Sequence, residues 1–163
     1  MLAIREALRK QFHASLAMVR EPIEVCPEAM WTEGEPRSFW RVAYHALYFG
    51  EFYLMAGEAD FHPWPKHRDG AQAIWEVHPE LTPYTREELL EYWARVDGLV
   101  DTQIEILDID AETSGFPWYP MPKLDHLIVN IRHIQEHAGQ LRDRLLTAGL
   151  DPRWVGQVRA AQP

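Results

Sequence analysis

Apolar residues return every three or four positions in four stretches of this chain, and prolines separate the stretches. Leu8, Phe12, Leu16 and Val19 form the first stripe, and Val42, His45, Phe49 and Phe52 the second. Leu89, Trp93, Val96 and Val100 form the third. Leu124, Leu127, Ile131, Ile134, Ala138, Leu141 and Leu145 form the last and longest. That period is one face of an α-helix. The 12 prolines fall at 22, 27 and 36, at 63, 65, 79 and 83, at 117, 120 and 122, and at 152 and 163. They leave 1–21, 37–62, 84–116 and 123–151 free of a residue that helix interiors exclude. Four helices are therefore expected. Ser38 is placed to cap the second, which should end near Gly57. Thr85 with Glu88 three residues on spells a capping box for the third. The fourth runs from about Lys123 to Thr147, with Gly149 as the residue just past its end. No segment alternates as a strand does, so the expected class is all-α.

The connection from about 58 to 84 is long for a compact domain, and a short helix is expected near Ala71–Val77. Its length lets it travel along a bundle, which would make the second and third helices parallel neighbours. Trp31, Trp64, Trp75, Trp118 and Trp154 fall in loops or the tail. They can serve as lids over the core, line a pocket or build an interface.

Length and composition narrow the class. At 163 residues the chain reads as one domain, 1–163, with a tail from about 150. Asp and Glu outnumber Lys and Arg 25 to 16, a formal charge of −9. That charge argues against nucleic acid as partner and against a polybasic membrane anchor. No apolar run reaches the roughly 18 residues of a membrane span. The N-terminus becomes charged at once and has no signal-peptide core, so a cytoplasmic protein is expected. A single cysteine, Cys26, rules out an internal disulfide and fits a reducing compartment. It has no basic neighbour to activate it as a nucleophile.

Most catalytic motifs are missing. There is no glycine-rich phosphate loop, no Gly-x-Ser-x-Gly, no His-Glu-x-x-His and no Glu-x-x-His pair of the di-iron kind. Histidine remains. His133 and His137 are four apart, about 40° around a helix axis, so both reach one ion. His126 shares their azimuth but lies roughly 10 Å away along the axis, too far to join them. With eight histidines in the chain, composition alone yields about 0.4 pairs at this spacing. The alternative is a solvated face. Ile134 and Leu141 edge the stripe and turn part of it inward. A zinc-type catalytic site takes three protein ligands and keeps one position open. His45, on the apolar face of the second helix, is the best candidate for the third. It is otherwise a core imidazole satisfied by a hydrogen bond. Tyr48 and Gln140, one turn beyond His45 and His137, are candidates for the substrate, for the ligands' outer contacts or for plain packing. His13, His62, His67 and His78 are read as surface or loop residues. Arg41 and Arg132 are set aside as substrate clamps because they are read as pointing away from the neighbouring histidines.

The segments Ser38-Phe-Trp-Arg-Val-Ala-Tyr-His45-Ala-Leu-Tyr-Phe-Gly-Glu-Phe-Tyr-Leu54 and Asn130-Ile-Arg-His133-Ile-Gln-Glu-His137-Ala-Gly-Gln140-Leu141 resemble the two signature helices of the DinB-like superfamily, which includes the YfiT-like metalloenzymes. The likeness covers most of the chain. It implies a four-helix bundle with a long crossover between helices 2 and 3. It also implies one divalent metal ion, nickel or zinc, on His45, His133 and His137. Relatives include thiol-dependent transferases and isomerases that use low-molecular-weight thiols, and many dimerise. The resulting expectation is a metal-dependent transferase or hydrolase acting on a small molecule, as a homodimer. The rivals are a non-catalytic binding module stabilised by metal and a bare structural bundle. No catalytic residue beyond the ligands is assigned.

Overall fold

The computed structural model of the chain describes residues 2–158. Met1 and residues 159–163, the two ends of the expected 1–163 domain, lie outside the described residues. Among the described residues the regular structure is all helical, with no strand. Five α-helices occur: α1 (Leu2–Val25), α2 (Glu28–Trp31), α3 (Phe39–Phe52), α4 (Arg86–Ile106) and α5 (Lys123–Thr147), with a 3₁₀ turn at Glu58–Asp60. No helix among them is long and apolar enough to cross a membrane.

The four long helices bury most of the stripes read from the sequence. Leu8, Phe12, Leu16 and Val19 of α1, Val42 of α3, Leu89, Val96 and Val100 of α4, and Leu127, Ile134, Ala138, Leu141 and Leu145 of α5 join one core. The C-terminal end of the α3 stripe differs: Phe52 joins a second cluster with Tyr53 and Phe116, and Phe49 packs half-buried against it. α1 packs on α4 and α5, and α3 packs on the same two helices. Side-chain pairs fix the directions. Trp40 meets Tyr84, Tyr44 meets Tyr92 and Glu51 meets Arg95, so α3 and α4 ascend together. Arg5 reaches Leu107, Arg9 reaches Glu105 and His13 reaches Asp97, so α1 runs against α4. Gly50 meets Asn130 and His45 meets His133, so α5 runs against α3.

Element boundaries differ from expectation in four places. α1 does not stop before Pro22 but runs through it to Val25. Losing one amide donor is tolerated there because Ile23 is fully buried, and packing outweighs the local penalty. Arg86 then collects the loose carbonyls, donating to Ile23 O at 2.5 Å, Glu24 O at 3.0 Å and Cys26 O at 2.7 Å. One-turn α2 was not expected; it places Trp31 in the core, where its indole N–H donates to Tyr84 O at 2.8 Å. α3 ends at Phe52 rather than near Gly57. The expected helix near Ala71–Val77 is instead a series of tight turns. That segment bonds to other parts of the molecule, which a helix would not allow.

The remaining ends follow local rules. Thr85 and Glu88 form the capping box in both directions. Ser38 precedes α3 but makes no cap bond; its hydroxyl donates to Glu35 Oε1 at 2.8 Å. α5 closes with Gly149 N–H on Leu146 O (3.0 Å) and Leu150 N–H on Leu145 O (2.9 Å). Gly149 takes φ 81°, the left-handed state that a Schellman end requires.

Candidate metal centre

The α3–α5 seam is held close by two features beside the histidines. Gly50 has no side chain where a Cβ would stand 3.3 Å from Ile134 Cδ1. Its carbonyl has no partner in α3, since Leu54 N–H turns to Glu51 O instead, and Asn130 Nδ2 donates to it at 3.0 Å. With the backbones pinned there, His45 of α3 faces His133 and His137 of α5.

The three imidazoles converge on one point. His45 Nε2 and His137 Nε2 each lie 3.1 Å from His133 Nε2. One nitrogen from each ring falls within 4.8 Å of the others. The opposite ring nitrogens show which way the lone pairs face. His45 Nδ1–H donates to the Gln72 carbonyl at 2.6 Å. His137 Nδ1–H donates to Gln140 Oε1 at 3.1 Å. Each of these rings therefore turns an unprotonated Nε2 inward. His133 carries at most one Nε2 proton, so it cannot satisfy both. Its Nδ1 is buried and has no partner. Lone pairs gathered in a largely buried site repel unless a cation lies among them, so the donor set fits a metal ion. Two nitrogens at tetrahedral angles about 2.0–2.1 Å from one zinc would lie roughly 3.3 Å apart.

Burial keeps the rings in ligand form. It lowers the His45 pKa to about 4, partly offset by the Gln72 bond, and lowers that of His133 to about 3, helped by the two neighbouring histidines. His137 is lowered too, again by burial first. On the unperturbed histidine value alone, metal affinity should weaken below about pH 6.5. The seam moves that limit down. Above the rings, Phe49 packs against His45 and His133, and the edge of Trp75 contacts His45. Trp75 is 62% exposed. A cleft of about 430 Å³ reaches His133 between Tyr119, Arg132 and Glu136.

The other candidates fall elsewhere. Gln140 contacts a ligand ring, whereas Tyr48 packs among Phe49, Phe61 and His67. His126 is fully buried in a cage of Tyr53, Phe116 and Tyr119, with neither nitrogen hydrogen-bonded. His62 stays exposed. His67 bonds the Tyr44 hydroxyl at 2.6 Å, and the Gly70 turn packs against His78. His13 is not a plain surface residue but bridges Asp97 and Asp101 on the α1–α4 seam. A larger cleft, about 800 Å³, opens there; its charged side chains already pair with one another. Cys26 is buried, which pushes its thiol up to about 11 and leaves it unreactive. Arg41 does not point away: at four-residue spacing it lies one turn before His45 on nearly the same face. It and the Gln72 carbonyl are the contacts that sequence reading missed. A backbone carbonyl leaves no residue-type signal, and Arg41 showed itself only as a charge in an apolar helix.

No family model matches the chain, and no curated protein or solved structure is significantly similar to it.

Proposed function

We propose that the chain is a metal-dependent enzyme that holds one divalent ion, nickel or zinc, on His45, His133 and His137. In this reading the four long helices are a four-helix bundle of DinB-like type. The segment between α3 and α4 is its long crossover, a reading supported by the shared direction of those two helices. The observation that carries the enzymatic reading is the count of ligands. Three histidines converge, and among the described residues no fourth His, Cys, Asp or Glu side chain joins them. A structural ion would take four protein ligands, whereas a catalytic ion keeps a position open.

Such an ion supplies Lewis acidity and favours the thiolate form of a bound thiol at neutral pH. The chain's residues prepare the place. Gln72 and Gln140 orient two rings, burial keeps all three neutral, and Phe49 and Trp75 limit water at the mouth. The reaction we assign is transfer of a low-molecular-weight thiol to a small electrophile, the activity implied by the resemblance of the His45 and His133–His137 helices. It takes place in the cytoplasm, in a homodimer. Trp75, Trp118 and Trp154, 49–71% exposed, support self-association. Sedimentation showing only monomer at micromolar concentration would remove the dimer.

The test of function is turnover of electrophile panels by zinc- or nickel-loaded protein, with and without small thiols. Thiol-dependent turnover that disappears in His137→Ala is expected. Thiol-independent ester or amide cleavage, lost in the same variant, would assign hydrolysis instead. Metal bound without any turnover would favour the non-catalytic module.

A further inference from the structure

The orientation of His45 depends on a loop, and the loop depends on one guanidinium. Arg41 is fully buried. Its Nη1 donates to Glu35 Oε2 at 2.8 Å and to Glu76 O at 3.0 Å. Its Nη2 donates to Gly70 O at 3.0 Å and Ala73 O at 2.6 Å. Three of these four acceptors are main-chain carbonyls at 70, 73 and 76, and they bracket Gln72. The loop has only short turn bonds of its own here, such as Ala73 N–H on Gly70 O and Glu76 N–H on Ala73 O. The Gln72 carbonyl also accepts from Ile74 N–H at 3.1 Å, a bond inside the same turn that ties it to nothing outside the loop. Yet this carbonyl meets His45 Nδ1 at 2.6 Å, and the same loop carries Trp75 to the His45 ring.

A carbonyl that accepts from the far nitrogen of a metal-binding histidine fixes its tautomer and rotation. Loss of such an outer contact costs about 10–100-fold in metal affinity. A buried guanidinium presents its donors in a rigid planar fork, so it holds several carbonyls in fixed directions, whereas the three donors of an ammonium sit on one rotatable nitrogen. Arg41 sits one helical turn from His45 on one rigid helix, so the ring and the anchor of its acceptor share a frame.

We propose that Arg41 is a positioning residue for the three-histidine site: it clamps the 70–76 loop onto α3, holds the Gln72 carbonyl on His45 Nδ1, and thereby sets metal affinity. This inference rests on the reading that the histidines hold a divalent ion.

The experiment is a zinc titration against a chromophoric chelator, with full-length protein and circular dichroism to confirm folding. The variants are Arg41→Met, Arg41→Lys, His133→Ala and Lys123→Met. Lys123 is the structural control: it is also a buried cation among carbonyls, those of Met55, Ala56 and Ser114, but it lies far down α5 from the histidines. Arg41→Met should lose about 10–100-fold in zinc affinity, with Arg41→Lys intermediate. Lys123→Met should keep wild-type affinity even where its melting temperature falls as far. Should Arg41→Met fail to fold, Arg41→Lys carries the test. Wild-type affinity in folded Arg41 variants, alongside zinc binding that His133→Ala abolishes, overturns this inference alone. Wild-type protein that binds no zinc overturns the metal reading and this inference with it.

Discussion

Two of the seams between the long helices, α1–α4 and α3–α5, treat histidine in opposite ways. On the α1–α4 seam, Arg5, Arg9 and His13 face Ile104, Leu107, Glu105, Asp101 and Asp97 in an antiparallel ladder. His13 there is bonded to a carboxylate on each side, and its pKa is raised, first by the hydrogen bond to Asp97. On the α3–α5 seam, the polar neighbours of three histidines are each other, a main-chain carbonyl and an amide, and Phe49 and Trp75 pack against the rings. Burial lowers them, and among the described residues no carboxylate joins them at ligand distance. A carboxylate neighbour makes imidazole a cation. An apolar wall makes it a neutral donor of a lone pair. The residue type is the same, and of these two environments the second gathers neutral donors that could hold a metal ion.

The sharpest way to break this contrast is to remove a histidine from each seam. His133→Ala should cut divalent-metal affinity by more than the roughly 10–100-fold that an outer contact is worth. His13→Ala should leave it unchanged. Equilibrium dialysis with metal analysis reads both, and full occupancy in His133→Ala would place the ion elsewhere.

Next in size is the tie that brings the α3–α5 backbones together. Asn130→Ala leaves the Gly50 carbonyl buried without a partner and should cost about 1–3 kcal/mol. Urea unfolding of the metal-free protein measures it. An unchanged midpoint would mean that water replaces the amide and that the seam does not need it.

The pH dependence should then have two limbs of opposite origin. His45 and His133 fold with pKa values lowered to about 4 and about 3. Their contribution is complete above the ordinary value of 6.5 and is lost as pH falls from there toward those values. His13 folds with a raised pKa. Its contribution is complete below 6.5 and is lost as pH rises through the raised value. Melting temperatures of metal-free protein should accordingly lose part of their acid sensitivity in His133→Ala and part of the alkaline decline in His13→Ala. All three pKa values are lowered, so zinc affinity should fall at a pH below 6.5 rather than at it. A loss centred at 6.5 would show that the rings are solvated.

The smallest effect belongs to the charge ladder. Arg9 pairs with Asp101 and Glu105, both about two-thirds exposed, so Arg9→Ala should cost about 0–1 kcal/mol, less at high salt. Metal affinity should not respond to salt in the same range, because its ligands are neutral and buried.

Much of this was legible along the chain. Period and proline placement located four long helices, and α5 begins and ends where expected because both its signals are local: Pro122 before it and Gly149 after it. Thr85 and Glu88 likewise declared their cap. Pro22 misled for a physical reason. A helix ends where packing stops supporting it, and Ile23 and Arg86 support one more turn from outside the local sequence. The loop near 71–77 misled in the same way, since its carbonyls are taken by Arg41, some thirty residues earlier.

The sequence by itself determined the helical faces and the His133–His137 pair, because residues four apart on a helix are neighbours whatever surrounds them. It nominated His45 but left a core imidazole equally open, since spacing says nothing about what a second helix brings. Tertiary structure decided the rest: that α3 and α5 run in opposite directions with Gly50 between them, that three Nε2 atoms meet, and that Gln72 and Gln140 turn two of them inward. Packing and backbone acceptors set those features. Neither is written in residue type, because a carbonyl is common to every residue and its position exists only once the chain has folded.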